Sequence, residues 1–293
     1  MASGGRPEPM GAASPIIVII AQGEMGAGVG GRLRERGAEV RTSLRGRSAA
    51  SAERARRHGL VAVEDDAALV HGADFVLSIL PPGEAVALAE RLAPALASAT
   101  EKPLYVDCNA INPTTMAKVA AIVEGTGAAC VDAGIIGGPP RPDAAGPKLY
   151  ASGPLAARFA RLRDWGLDVR LLDERIGTAS ALKMAYGSLT KGLTALAVTM
   201  ALGAARAGVA EALKRELAES QPALDAWLKR QLPKMPPKAY RWVAEMEEIA
   251  AHLGEGTPGG EIYEGIARLY AEVALSQAGD KRDIDALKSF VAG

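Results

Sequence analysis

Ile16-Ile17-Val18-Ile19-Ile20-Ala21-Gln22-Gly23-Glu24-Met25-Gly26-Ala27-Gly28 is the stretch on which the reading of this chain turns. Residues 16–20 are all β-branched, stiff at χ1 and suited to a strand covered on both faces. The glycines after them lead into 29–36, which has helical spacing. A strand, a glycine turn and a helix in succession bring the first N–H groups of the helix, which lack partners within it, to a point where an anion can meet them. Gly23 and Gly26 hold the second and third places of a Gly-x-Gly-x-x-Gly phosphate turn, and Ala21 stands in the first. By itself this incomplete motif is weak, and a plain strand-to-helix turn in another doubly wound protein fits it as well.

Working outward, short apolar runs at 16–21, 38–42, 75–80, 104–107 and 129–132 alternate with Ala/Leu-rich segments of helical period. That alternation predicts βαβ units and a parallel sheet. Runs at 148–151 and 169–172 read as closing strands, and nothing beyond them reads as a strand. A long Ala-rich helix is expected from about Ala179 to Ser220, without proline and with Gly187, Gly192, Gly203 and Gly208 as places where another helix can approach. The break from Pro233 to Pro237 precedes two more helical regions, 240–253 and 262–278. The expected architecture is α/β: a Rossmann-type doubly wound parallel sheet over 15–176, after a leader at 1–14 without hydrophobic period, then an all-α C-terminal domain over 177–293. A chain of 293 residues is long enough for two such cores.

Composition narrows the partners. The 34 basic and 34 acidic residues cancel, so no long-range field gathers nucleic acid or an anionic membrane surface. Cys108 and Cys130 sit beside apolar residues, and no Cys/His spacing suggests a metal. Reduced thiols suit the cytoplasm. The apolar run 16–20 is too short for a signal-peptide core. Residues 192–205, bracketed by Lys191 and Arg206, fall short of the ~20 residues of a membrane span and read as a core helix. His58, His71 and His252 are scattered and carry no assignment.

About twenty residues past a phosphate turn, an Asp or Glu at the end of the second strand would hold the ribose hydroxyls of NAD. Here the stretch is Thr42-Ser43-Leu44-Arg45-Gly46-Arg47-Ser48, with two guanidiniums and no carboxylate. That favours NADP, whose extra 2′-phosphate pairs with arginine, over NAD. Either arginine taken singly is as readily a solvated loop residue.

Taken together, Gly23-Glu24-Met25-Gly26, Leu80-Pro81-Pro82, Asp132-Ala133-Gly134-Ile135-Ile136-Gly137-Gly138, and Gly177 followed six residues on by Lys183 resemble the β-hydroxyacid dehydrogenase family in order and spacing. That family includes 6-phosphogluconate and 3-hydroxyisobutyrate dehydrogenases, and the resemblance runs from about Ile16 to about Thr190. The helical part, with Tyr240-Arg241-Trp242 followed by Glu245-Met246-Glu247-Glu248, looks like a branch whose C-terminal domain has no assigned function. The resemblance implies that Gly23, Glu24, Met25, Gly26, Ser43 and Arg45 meet the cofactor's phosphates and adenosine, and that the Leu80 and Pro81 backbone lines the nicotinamide ribose. It implies that the N–H groups of Gly137 and Gly138 hold a substrate carboxylate, as an anion nest does, although such a loop is also ordinary turn punctuation. Asn109 falls where related enzymes carry a serine that touches substrate or cofactor; its amide could equally satisfy its own turn.

The resemblance also makes Lys183 the general acid/base. Hydride delivery to a carbonyl carbon leaves an alkoxide, which an ammonium both stabilises and protonates. The alternative is an ordinary exposed helix lysine. Tyr186, Gly187 and Thr190 share its helix face. The family's asparagine four residues after the lysine is Gly187 here, so Tyr186 becomes the candidate for orienting the substrate oxygen, or else a packing residue. Farther on, Arg241, Glu245, Glu248 and His252 form a stripe at helical spacing beside an apolar face of Trp242, Met246, Ile249 and Leu253. It reads as a solvated face with ion pairs, or as a cleft wall on which Arg241, with or without Glu245, recognises the far end of a substrate. The expected activity is NADP-dependent hydride exchange with a small hydroxy-acid or keto-acid carboxylate by a homodimer. The alternatives are an imine reductase on the same scaffold and a non-catalytic NADP-binding scaffold protein.

Overall fold

The computed structural model describes residues 14–141 and 146–292. Of the leader expected at 1–14, all but Ser14 lies outside the described residues. An eight-stranded sheet forms first. Its strands are β1 (Ile16–Ile20), β2 (Glu39–Thr42), β3 (Val61–Ala62), β4 (Phe75–Ser78), β5 (Leu104–Asp107), β6 (Cys130–Ile136), β7 (Lys148–Ser152) and β8 (Asp168–Leu171). Helices α1 (Glu24–Glu35), α2 (Ala49–Arg57), α3 (Asp66–Val70), α4 (Ala85–Ser98), α5 (Pro113–Glu124) and the short α6 (Ala156–Phe159) connect them. The strand order is β3-β2-β1-β4-β5-β6-β7-β8. The chain therefore winds outward in both directions from β1, which makes its carboxyl end the switch point where ligands of such sheets bind.

Alternate residues of the central strands enter different cores. Ile17, Ile19, Leu77 and Val106 pack with Val29 and Leu33 of α1, while Val18, Ile20, Val76 and Tyr105 pack with Leu88 and Leu92 of α4 and Met116 of α5. Burial on both faces is why 16–20 reads as a continuous apolar run, each such side chain contributing roughly 1.5–3 kcal/mol. Two details differ from the expectation. The sheet is parallel except between β6 and β7, which pair antiparallel; the eleven residues from 137 to 147 are short of the dozen or more that a parallel crossover takes. The edge strand β3 has two residues, too few for any period to show.

The C-terminal part is all helical among the described residues: α7 (Thr178–Arg206), α8 (Ala210–Ser220), α9 (Pro222–Gln231), α10 (Ala239–Leu253), α11 (Pro258–Ala278) and α12 (Arg282–Val291). The single helix expected to run to Ser220 is thus two, broken where Gly208 takes φ +70° and lets the chain leave the helix in the left-handed conformation. By length and composition alone α7 could cross a membrane, but Met184, Val198 and Leu202 are buried in a helical core with Met246, Ile249, Tyr270 and Phe290. Gly187 and Gly192 do admit neighbours: a Cβ there would stand 3.4 Å from Ile249 Cδ1 and 2.7 Å from the Tyr263 hydroxyl. Gly203 and Gly208 admit none, with nothing within 4 Å of such a Cβ.

Candidate active site at the domain junction

The glycines of the first turn do different work. A Cβ on Gly26 would lie 2.0 Å from the Ala21 carbonyl oxygen, so only glycine lets α1 start this close to β1. A Cβ on Gly23, the N-cap of α1, would meet nothing within 4 Å. The space over Gly23 and the unpaired first-turn N–H groups of Glu24, Met25 and Gly26 fit the pyrophosphate of a dinucleotide. Buried Gln22 pins the turn, its Nε2 donating to the Ile19 carbonyl at 2.9 Å and to Thr42 Oγ1 at 2.8 Å. Gly26→Ala is therefore expected to lower the melting temperature, whereas Gly23→Ala should melt like the parent and lose dinucleotide binding. Calorimetry and a cofactor titration on both variants check this, and a Gly23→Ala protein that binds normally would remove the phosphate from that space.

At the carboxyl ends of β4 and β5, Asn109 is buried and fully engaged. Its Oδ1 accepts from the Leu80 N–H at 2.6 Å, while its Nδ2 donates to Ser78 Oγ at 2.7 Å and to Asp107 Oδ2 at 2.8 Å. Its amide thus satisfies the turn and fixes the Leu80-Pro81 backbone. Burial pushes the Asp107 carboxyl up to about 7, against the bonds from Asn109 that hold it down.

At the end of β2, the 42–48 window lacks a carboxylate in sequence, but the fold brings two in. Arg45 Nη2 donates to Asp66 Oδ2 at 3.0 Å, and Arg47 Nη1 donates to Glu84 Oε2 at 3.1 Å. Arg91 of α4 also bonds Asp66 and donates to Ser43 Oγ. Sequence reading missed both Asp66 and Arg91, because neither is near the loop along the chain.

Strand β6 organises the other half. Asp132, buried in it, accepts from the N–H groups of Gly177 and Ser180, each at 2.9 Å, from Ser180 Oγ at 2.7 Å and from Ser152 Oγ at 3.2 Å. It thereby caps α7, whose own N-cap, Gly177 at φ +102°, has no side chain to do so. Burial raises its pKa, with these bonds opposing. Two residues on, Gly134 lies where a Cβ would come 3.0 Å from the Ala179 carbonyl oxygen and 3.1 Å from Lys183 Cβ, so the strand and the helix touch. One residue farther, the Ile135 carbonyl accepts from Lys183 Nζ at 2.6 Å. Lys183 is therefore no solvated helix lysine. Burial, then the charge of Lys191, lowers its pKa to about 8, and Glu245 acts in the opposite sense. Beyond the strand, Gly137 takes φ +127° beside Pro147, and among the described residues nothing lies within 4 Å of where a Cβ on Gly138 would stand.

From the helical part, Glu245 Oε2 accepts from Lys191 Nζ, and that ammonium also lies 5.5 Å above the Trp242 ring. The Tyr270 hydroxyl donates to the Lys191 carbonyl at 2.6 Å. Glu248 Oε2 accepts from the Asn112 N–H at 2.7 Å and Nδ2 at 2.6 Å, and from Thr115 Oγ1 at 3.1 Å. The solvated-face reading of this stripe is thus corrected for Glu245 and Glu248: tertiary partners on α7 and α5 hold them, and i,i+4 ion pairs along α10 do not. Arg241 stacks near Tyr240, 5.9 Å from its ring centre. Tyr186 is 48% exposed, and Gly187 leaves Ile249 as the nearest group where the family's asparagine would project. Nothing in the sequence marked Lys191, whose partner lies on a different helix.

Comparison with known proteins agrees with this geometry. Residues 16–164 match the family of the NAD binding domain of 6-phosphogluconate dehydrogenase, and residues 204–273 match a domain of unknown function, DUF1932. An uncharacterized 28.5 kDa protein of Methanothermus fervidus is 28% identical over 183 residues, 62% of this chain and 68% of that protein. Among solved structures, the conserved protein MTH1747, of unknown function and described as structurally similar to 3-hydroxyacid dehydrogenases, is 29% identical with a TM-score of 0.65, covering 89% of this chain and 99% of its own. The 3-hydroxyisobutyrate dehydrogenase of Mycobacterium tuberculosis, solved with L-serine, shares the fold at 21% identity and a TM-score of 0.68, over 96% of this chain and all of that one. With its glycine turn at the sheet's switch point, the chain belongs to the family defined by the NAD binding domain of 6-phosphogluconate dehydrogenase.

Proposed function

We propose that the protein transfers hydride between NADP(H) and a small hydroxy-acid or keto-acid, with Lys183 as general acid/base. The observation that carries this reading is the Lys183 bond to the Ile135 carbonyl, which holds the ammonium beside the end of β6, next to Gly137 and Gly138. A dinucleotide held by the 23–26 turn would supply the hydride acceptor or donor for the substrate's alcohol or carbonyl carbon. In the oxidative direction neutral Lys183 takes the hydroxyl proton as the C–H bond breaks; in the reductive direction its ammonium gives that proton to the forming alkoxide. The N–H groups of Gly137 and Gly138 hold the substrate carboxylate, Arg241 receives a second anionic group at the far end, and Tyr186 orients the reacting oxygen from the exposed side of α7. Asn109 acts through Leu80, keeping the ribose-facing backbone in place.

Titration of NADPH and NADH against the purified protein, followed by hydroxy-acids, keto-acids and cyclic imines with the tighter cofactor, tests the proposal. Turnover of an imine and of no keto-acid would replace it with the reductase reading, which the missing amide at Gly187 favours. Binding without turnover of any of them would leave a cofactor-binding scaffold.

The same reading takes the enzyme as a cytoplasmic homodimer. Cys108 and Cys130 are free and buried. Along α7, Leu189, Leu193, Leu196 and Met200 follow one another at intervals of four, three and four, and Leu189 and Leu196 are 68% and 64% exposed. That spacing is the seam of a helix pair, and the partner is a second copy of the chain. Light scattering is expected to give a dimer, and Leu189→Glu with Leu196→Glu a folded monomer; a monomeric parent protein would refute the pairing.

A further inference from the structure

The loop at 43–48 presents arginines to the adenosine end, yet the anion they meet is the protein's own. Asp66, the first residue of α3, lies between guanidiniums from two different elements. Its Oδ2 accepts from Arg45 Nη2 at 3.0 Å and from Arg91 Nε at 2.9 Å, and its Oδ1 accepts from Arg91 Nη2. Arg91 Nη2 also donates to Ser43 Oγ at 2.9 Å. The Asp66 and Arg91 side chains are 15% and 22% exposed, against 60% for Arg45. Two guanidiniums on one oxyanion, Arg91 as a two-nitrogen fork and Arg45 through a single nitrogen, make a donor set that also recognises a phosphate monoester.

We infer that Asp66 stands in for the 2′-phosphate of NADPH, that Arg91 completes the site Arg45 begins, and that displacing Asp66 sets how strongly the protein prefers NADPH to NADH. The inference rests on the dinucleotide reading above and refines its cofactor preference. Arg45 alone, well exposed, offers a pairing that water and salt weaken. Arg91, fixed on a helix and partly shielded, offers the stronger fork, and Asp66 occupies it from both nitrogens. An incoming phosphate meets a like charge at hydrogen-bond range and binds Arg91 only if the carboxylate rotates away. NADH brings a ribose hydroxyl to the same place, and a carboxylate accepts from a hydroxyl without hindrance. The cost of displacement therefore falls on NADPH alone, and Asp66 moderates the selectivity that the arginines create.

The test titrates the full-length parent, Asp66→Asn, Arg91→Met and the double variant with NADPH and NADH, and with 2′,5′-ADP against 5′-AMP. Asp66→Asn is expected to tighten NADPH and 2′,5′-ADP about tenfold, while NADH and 5′-AMP stay within about twofold or weaken. The gain should vanish when Arg91→Met is added. Asp66→Ser, which also removes the charge, serves if the asparagine variant misfolds. An unchanged NADPH-to-NADH ratio in the Asp66 variants, or a gain that survives loss of Arg91, overturns the inference. A parent protein that binds neither dinucleotide overturns the dinucleotide reading with it, so the two failures are told apart.

Discussion

Lys183→Ala is expected to lower turnover about a thousandfold, within the range that removal of a general acid/base commonly costs, while the NADPH dissociation constant stays within about twofold. The asymmetry follows from position. Lys183 bonds the Ile135 carbonyl on β6, whereas the phosphate turn lies at the start of α1, so the variant loses proton transfer without losing the cofactor's cradle. The pH dependence of the parent enzyme should report the same group. With its pKa lowered to about 8 by burial and the Lys191 charge, neutral amine accumulates as pH rises through about 8. Oxidation, which needs the amine, should rise over that interval and level off above it. Reduction, which needs the ammonium, should be full below about 8 and decline above it. Steady-state rates in both directions between pH 6 and about 10 check this, and near-parental turnover by Lys183→Ala would take the lysine out of the mechanism.

Asp132→Ala should cost the most stability of any change near the site. It strips acceptors from the N–H groups of Gly177 and Ser180 and from two serine hydroxyls, leaving buried donors unmet. A loss of roughly 3 kcal/mol is expected, a fall in melting temperature on the order of 10 °C. The first turn of α7 should then exchange its amide hydrogens faster, and turnover should fall with it, because Lys183 stands on the turn that follows. Asp132→Asn keeps an oxygen for the two N–H groups and should recover most of both. Calorimetry and hydrogen exchange over 178–184 decide; an alanine variant that melts within about 2 °C of the parent would mean that α7 is held by its packing alone.

What was legible in the sequence was local. Five β-branched residues, a glycine turn and a helix lie within a score of residues, and their order alone places the sheet's centre. Lys183 stood out through its spacing from Gly177 and its resemblance, since an apolar helix gives no other sign of which lysine is buried. The unread parts are pairings across long stretches of chain: Asp132 with Ser180, Asp66 with Arg91, Lys191 with Glu245, Asn112 with Glu248. No period or motif connects such residues, because the sheet order and the docking of α10 bring them together. The 42–48 window shows the consequence: it lacks a carboxylate when read along the chain and has two when read in space. The antiparallel β7 was hidden for a similar reason, since a strand's own sequence does not state the direction of its neighbour.

Glu248 reaches from α10 to the first turn of α5 and there gathers the N–H and side-chain amide of Asn112 and the Thr115 hydroxyl. Parting α10 from α5 at this point would strip those bonds from a half-buried carboxylate. Glu248 is thus a clasp: one carboxylate ties the last long helical hairpin to the helix that follows β5, and it does so with three donors from a single turn.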